Sequence, residues 1–190
     1  MRVLGLTCSG RKGGNTEILV REALSAAAEA GAQTEIVLVA EKSIAPCDGC
    51  FSCQKSGICV IKDDMQPLYQ KMQEADAIVF GSPVYFGTVS AQAKKVMDRT
   101  FLLLQRGKLK GKVGASVLAV RRLGGAQTRS LMYSYFIAHG MIPVRSAIGY
   151  GMTKGDVLQG TGGGTGISAL EEARNVGRDV VHMVQQLAKP

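Results

Sequence analysis

The sequence predicts an α/β protein, a five-stranded parallel sheet covered by helices on both faces, folded as a single domain over residues 1–190 with a cysteine-rich insertion at about 41–62. Three observations lead there. Strand-like and helix-like segments alternate from end to end, the pattern of β-α-β units and a parallel sheet. The strand-like segments are short and apolar, as in strands buried on both faces. Hydrophobic residues make up 46% of 190 positions, enough for one sizeable core, while 24 glycines cluster where strands hand over to helices.

The elements follow in order. Arg2–Thr7 is a short apolar run ended by Ser and Gly, the first strand. Thr16–Ala30 sets Ile18, Leu19, Ala23, Ala26, Ala27 and Ala30 at helical spacing and stops at Gly31, a C-capping residue. Thr34–Ala40 is β-branched and short, a second strand. Asp64–Glu74 reads as a helix with Asp63 or Asp64 at its N-cap, and Ala75–Gly81 as a buried strand. Ser90–Gln105 repeats the helical spacing through Ala93, Val96, Met97, Phe101 and Leu104. Val113–Val120 and Met141–Ile148 are strands, Gln127–His139 and Leu170–Leu187 helices. One connection, Glu41–Lys62, is too long for an ordinary loop and marks a functional insertion. Ligands on such sheets bind beyond the carboxyl ends of the strands, which points to the loops after Thr7, Gly81 and Val120.

Composition removes several classes. Twenty-three basic residues against 15 acidic ones give a formal charge of +8, which favours anionic partners. The cations are scattered in ones and twos, and the densest run, Arg106 to Lys112, has no aromatics interleaved. That disfavours nucleic acid and leaves a phosphate-bearing cofactor or substrate. No apolar run reaches the ~18 residues a membrane helix needs, so no membrane partner is expected. With no signal-peptide pattern near Met1, a cytoplasmic location is expected, where the cysteines remain thiols instead of structural disulfides.

The first loop, Thr7 to Thr16, joins a strand to a helix, so its backbone N–H groups and the helix dipole make an anion site. Ser9, Asn15 and Thr16 add short donors, Arg11 a positive fork, and Gly13-Gly14 a close backbone approach. Neither the G-x-x-x-x-G-K-[ST] spacing nor G-x-G-x-x-G is present, so nucleoside triphosphate hydrolysis and dinucleotide binding of that type are excluded. A monophosphate site is favoured over an ordinary βα turn. The second loop, Gly81 to Gly87, contains Pro83, Val84, Tyr85 and Phe86; it offers an aromatic surface for a flat ring, or else a core aromatic pair. The third, Arg121 to Gln127, contains Arg122 and Gly124-Gly125, which allow backbone to meet a ligand edge.

Together these loops resemble those of NADPH-dependent FMN reductases and related flavodoxin-like proteins, and the resemblance covers nearly the whole chain. It implies a flavodoxin-like three-layer sandwich of sheet order 2-1-3-4-5 and an oxidoreductase whose chemistry is carried by FMN. Ser9, Arg11, Gly13, Gly14, Asn15 and Thr16 would surround the phosphate; Pro83 to Gly87, Gly124 and Gly125 would lie along the ring, with Arg122 a further cofactor-binding residue. Cys8-Ser-Gly10 departs from the Gly-Ser-Pro common in relatives, which loosens the loop without removing a phosphate donor.

The long connection carries Cys47, Cys50, Cys53 and Cys59 as C-x2-C-x2-C-x5-C. Two successive two-residue gaps wrap three thiolates around one centre and the fourth returns from further on, the logic of a [4Fe–4S] site. Zinc, free thiols and a reversible disulfide remain alternatives at this point. With the flavin loops, the spacing resembles the iron–sulfur flavoprotein branch of the family. That resemblance implies electron transfer between FMN and the cluster, a redox partner such as ferredoxin or NAD(P)H, and a homodimer or homotetramer. The alternative function is a cluster-free NAD(P)H-dependent FMN or quinone reductase.

Other polar residues receive plainer readings. Cys8 is not expected to be a ligand. His139 ends a helix, where its charged form would favour the dipole, and His182 is a surface residue. Lys94, Asp98 and Arg99 form a solvated or subunit-facing charged stretch. Met152–Gly166 reads as a mobile loop before the last helix, placed to reach either a flavin or a neighbouring subunit.

Overall fold

A computed structural model describes residues 1–160, 162 and 166–189. Its strands are β1 (Arg2–Thr7), β2 (Gln33–Leu38), β3 (Ala77–Tyr85), β4 (Thr88–Val89), β5 (Val113–Val120) and β6 (Ile142–Tyr150). Its helices are α1 (Asn15–Glu29), α2 (Ser52–Ser56), α3 (Met65–Glu74), α4 (Ala91–Arg99), α5 (Phe101–Gln105), α6 (Gly125–Ala138) and α7 (Ala169–Leu187). The sheet order is β2-β1-β3-β5-β6, every neighbour parallel, with β4 folded back antiparallel on β3. Leaving out that two-residue addition, this is the expected 2-1-3-4-5 order.

Both faces of the sheet are buried, so successive residues of one strand enter opposite cores. Leu4, Leu6, Ile78, Phe80 and Leu118 point to the layer of α3, α4, α5 and α6, where Leu68, Met72, Val96, Leu103 and Phe136 meet them. Val3, Ala77, Val79, Ala115 and Val117 point to α1 and α7, against Leu19, Ala23, Ala173, Val176 and Val180. Phe80 and Phe136 are fully buried, each side chain contributing about 1.5–3 kcal/mol. Gly177 lets α7 close on α1, since a Cβ there would stand 2.0 Å from the Ala23 carbonyl oxygen.

Three differences from the sequence expectation have local causes. First, β3 continues four residues past Gly81, through the segment expected to be a loop. β1 ends opposite Gly81, and the Cys8 N–H donates to the Gly81 carbonyl at 2.9 Å. Pro83, two residues on, turns its missing N–H toward that vacated edge, while Ser82 and Pro83 still register with Leu118 and Ala119 of β5. Second, the helix expected over Ser90–Gln105 is two helices that break at Thr100, whose hydroxyl donates to the Met97 carbonyl at 2.6 Å. Third, the segment after β6 is tied down: Asp156 accepts the Met152 and Thr153 N–H groups at 2.7 Å each, and Gly162 bridges Gly149. Thr161, Gly163, Gly164 and Thr165 of the expected mobile loop lie outside the described residues.

Candidate functional site

The carboxyl ends of β1, β3 and β5 open on a crevice of about 720 Å³. Of the residues expected to hold FMN, Ser9, Arg11, Gly14, Asn15, Thr16, Pro83, Val84, Tyr85, Phe86, Gly87, Arg122 and Gly124 line it. Gly13 and Gly125 do not. Gly13 turns the loop at φ +62° and donates its N–H to Glu17 Oε2 at 2.7 Å, and Gly125 packs toward Ile148 and Val120.

Ser90 secures the base of this crevice. Its hydroxyl donates to the Cys8 carbonyl at 2.6 Å and caps α4 by accepting the Ala93 N–H. Ser9 Oγ accepts the Arg11 N–H at 3.1 Å, which shapes the approach to α1. The α1 N-cap is Gly14, which has no side chain to cap with, so the helix presents its N-terminal pole to the crevice. Burial would raise the Glu17 carboxyl, but the Gly13 N–H and Arg21 outweigh it and hold it below its ordinary value. A charged carboxylate therefore already occupies one loop N–H.

Asn15 behaves differently from the expectation of a simple donor. Its Nδ2 donates to the Thr153 carbonyl and its Oδ1 accepts the Gly155 N–H, both at 2.8 Å. The side chain fixes the loop after β6 as a wall of the crevice and brings Lys154 to its edge. Gly151 of that wall and Ala119 are lining residues the sequence reading missed, while Arg121, Leu123 and Gln127 of the third loop and Met152 and Lys154 lie in loops it placed near the ligand without naming them as site residues. No local pattern marks Gly151–Lys154, whose position comes from the end of β6.

Gly124 takes φ +94°, and a Cβ there would stand 2.6 Å from the Gly87 Cα. The second and third loops therefore meet backbone to backbone. Tyr85 is half exposed and Phe86 fully so, held at φ +50° at the lip, which excludes the core aromatic pair. Among the described residues, no acidic or imidazole side chain lines the crevice.

A second cavity of about 500 Å³ lies under the long connection, and Cys47, Cys50, Cys53 and Cys59 all line it. Cys47 and Cys50 are exposed, Cys53 and Cys59 half-buried, and all are free thiols. Phe51, at φ +55°, sets its ring edge-on to Phe101 at 5.8 Å. Burial pushes the Cys53 thiol up, and the neighbouring Cys59, Cys47 and Cys50 add to it. Cys8 is fully buried away from this set, and burial pushes its thiol far up. Among the described residues, no three Cys, His, Asp or Glu side chains stand at metal-binding spacing. The donor set nonetheless fits an iron–sulfur cluster in kind, with four thiols from one loop around one cavity.

Two polar groups at the inner side of this cavity depart from their plainer readings. Arg99 is buried, with Nη1 and Nη2 at 2.7 and 3.0 Å from the two Asp63 carboxylate oxygens. Burial would raise the Asp63 carboxyl, but the Arg99 fork and the Ala45 and Met65 N–H groups hold it below its ordinary value. His139 is 5% exposed, and burial pushes it down to about 4, so it is neutral at pH 7 and gives the helix end no charge. Its Nε2 lies 3.0 Å from Thr100 Oγ1, whose proton goes to Met97, so Nε2 is the donor and Nδ1 the bare acceptor. Nδ1 has no partner among the described residues.

The family model described as NADPH-dependent FMN reductase matches residues 1–155. The iron–sulfur flavoprotein of Methanocaldococcus jannaschii is 41% identical, with all of both chains covered. The iron–sulfur flavoprotein of Methanosarcina thermophila is 34% identical over 98% of each chain. Among solved structures, a flavodoxin from the domain Archaea superposes with a TM-score of 0.65 at 16% identity, covering 97% of this chain and 99% of that one. No described helix is long and apolar enough to cross a membrane.

Proposed function

The chain belongs to the NADPH-dependent FMN reductase family, in its iron–sulfur flavoprotein branch, and on that premise we propose that this flavin-dependent oxidoreductase passes electrons between FMN in the crevice and a [4Fe–4S] cluster on Cys47, Cys50, Cys53 and Cys59. The observation that carries the reading is the convergence of all four thiols on one cavity in a chain that also has the flavin crevice. When bound, FMN supplies the interchange of two-electron and one-electron transfer, and the cluster supplies one-electron storage.

The chain's own residues position and insulate. The α1 N-terminus, Ser9, Thr16 and the cations Arg11 and Lys154 would hold the phosphate, and Asn15 orients Lys154 through the Thr153–Gly155 backbone. Pro83 to Gly87 and Gly124 would offer backbone to the ring, with Tyr85 and Phe86 at the lip as its apolar cover. Phe51, Phe101 and Leu102 give the thiols an apolar surrounding, which disfavours added negative charge on the cluster and lowers its potential.

The redox partner is an acidic one-electron carrier such as ferredoxin, or NAD(P)H, drawn by the +8 charge and by Arg121 and Arg122 at the crevice. The working unit is a homodimer or homotetramer. Exposed Tyr85, Phe86 and Leu123 at the crevice and Phe51, Ile58 and Val60 at the cysteine loop supply apolar contact area.

Anaerobic purification tests the reading. Brown protein with about four iron and four sulfide per chain beside one FMN is expected. Yellow, iron-free protein that still turns over NAD(P)H with FMN or a quinone overturns it in favour of a cluster-free reductase.

A further inference from the structure

The cysteine loop leaves the body of the protein at Ala45 and returns through Ile61 to Asp63, and both exits meet one buried side chain. Arg99 Nη1 donates to the Ala45 carbonyl at 2.8 Å and to Asp63 Oδ2 at 2.7 Å. Nη2 donates to Asp63 Oδ1 at 3.0 Å and to the Ile61 carbonyl at 3.4 Å, and Nε to Tyr69 Oη at 3.3 Å. Tyr69 in turn donates its hydroxyl to the Arg99 carbonyl at 3.0 Å. Asp63 answers from the other side, accepting the Ala45 N–H at 2.9 Å and the Met65 N–H at 3.0 Å. The Arg99 side chain is only 1% exposed, and every N–H of its fork is spent on the loop ends, Asp63 or Tyr69.

We infer that the Arg99–Asp63 pair is the latch of the cysteine loop: by pinning residue 45 to residues 61–63 it fixes the separation of Cys47 and Cys59 before any cluster arrives, and so sets how firmly the cluster is kept. This rests on the cluster reading above. Cys47 lies two residues beyond one pinned end, and Cys59 two residues before Ile61 at the other. Between the pins the loop is held more lightly: α2 is one short turn, Cys47 to Cys50 are all exposed, and its contacts to the body include the Phe51–Phe101 ring pair, Arg106 Nη2 donating to the Gln54 carbonyl at 3.3 Å and Gln66 Nε2 donating to the Cys59 carbonyl at 3.3 Å. Closing such a loop by four thiol–iron bonds alone would charge its whole entropy to cluster binding, whereas a latched loop has met most of that cost in folding. The pair is internally neutral, so Arg99 acts as a positioning residue through its geometry. Lysine keeps the charge but cannot span Ala45, Ile61 and a bidentate carboxylate at once.

The test compares wild type, Arg99→Lys and Asp63→Asn, each purified anaerobically with FMN bound. Iron loss to bathophenanthroline is followed by visible absorbance and the cluster midpoint potential by redox titration. In metal-free protein, tryptic cleavage is followed at Lys55, exposed within the loop. Expected in both variants are iron loss about tenfold faster at unchanged FMN content, an upward shift of the potential as water reaches the loosened loop, and faster cleavage at Lys55. Wild-type rates of iron loss or of Lys55 cleavage overturn the latch. So does iron that leaves only in step with FMN, which marks general destabilisation. A wild type that takes up no iron and sulfide sinks the cluster reading instead, and Lys55 cleavage of the metal-free variants then decides the latch alone.

Discussion

The flavin crevice and the cysteine cavity are built on opposite principles. The crevice is assembled from the ends of three central strands and the loops that follow them, so its shape is inherited from parallel sheet register: Thr7 opposite Gly81, Pro83 opposite Ala119. The cysteine cavity takes all four thiols from a single connection, and its shape depends on a buried ion pair and an edge-on aromatic contact. A site framed by a sheet tolerates loss of any one side chain, because the backbone remains. A site hung on a loop concentrates its dependence in the few side chains that close the loop.

That contrast can be broken or sharpened by substitution, beginning where the effect is largest. Asp63→Ala leaves Arg99 buried and unpaired and is expected to cost about 3–5 kcal/mol. Urea denaturation checks it, and the protein that remains folded keeps wild-type FMN affinity. An equal loss of FMN affinity would show that the two regions are one unit.

Acid should weaken the cysteine side through His139. With His139 at about 4 when folded and 6.5 as the ordinary value, the unfolded chain binds the extra proton between those values. Its contribution is fully present above pH 6.5 and is lost as pH falls to about 4, at most about 3 kcal/mol. Subtracting the pH–stability profile of His139→Gln from that of wild type isolates the slope, and a flat difference refutes it.

On the crevice side, Gly124→Ala places a Cβ at φ +94° and 2.6 Å from Gly87. The left-handed conformation alone costs about 1–2 kcal/mol, and forcing the two loops apart is expected to weaken FMN binding about tenfold. Flavin fluorescence titration reads this, with iron content unchanged. Smallest is Lys154→Ala, expected to weaken FMN binding severalfold in low salt and less in 0.5 M salt, because an exposed cation acts through a screened field. A salt-independent effect would mean that Lys154 packs rather than attracts.

Much of the fold was legible in the residues themselves. The apolar runs of β1, β3 and β5 and the spacing of α1 and α7 announce a parallel sheet between two helical layers, since each signal lies within one contiguous segment. Twelve of the fourteen expected flavin residues line the crevice, because Gly, Pro and small polar residues after a strand have few other uses. The misreadings share a cause. Arg99 looked solvated beside Lys94 and Asp98, yet it sits on the inner side of α4, 36 residues from its partner. Asp63 looked like a helix cap and does accept the Met65 N–H, but that is the lesser of its contacts. His139 looked like a dipole partner, and only its burial against Thr100 and Tyr135 shows that it carries no charge to offer.

By itself, the sequence determined the layers, the three loops that meet at one end of the sheet, and a quartet of cysteines gathered in one connection. These are properties of neighbouring residues, and neighbours stay neighbours in any fold. Tertiary structure decided which side chain closes the cysteine loop, that Asn15 reaches 138 residues along the chain to hold Thr153, and that Lys154 stands at the crevice. Those pairings follow from strand register and helix packing, which bring distant residues within a few ångströms and remove the water that would otherwise compete for them.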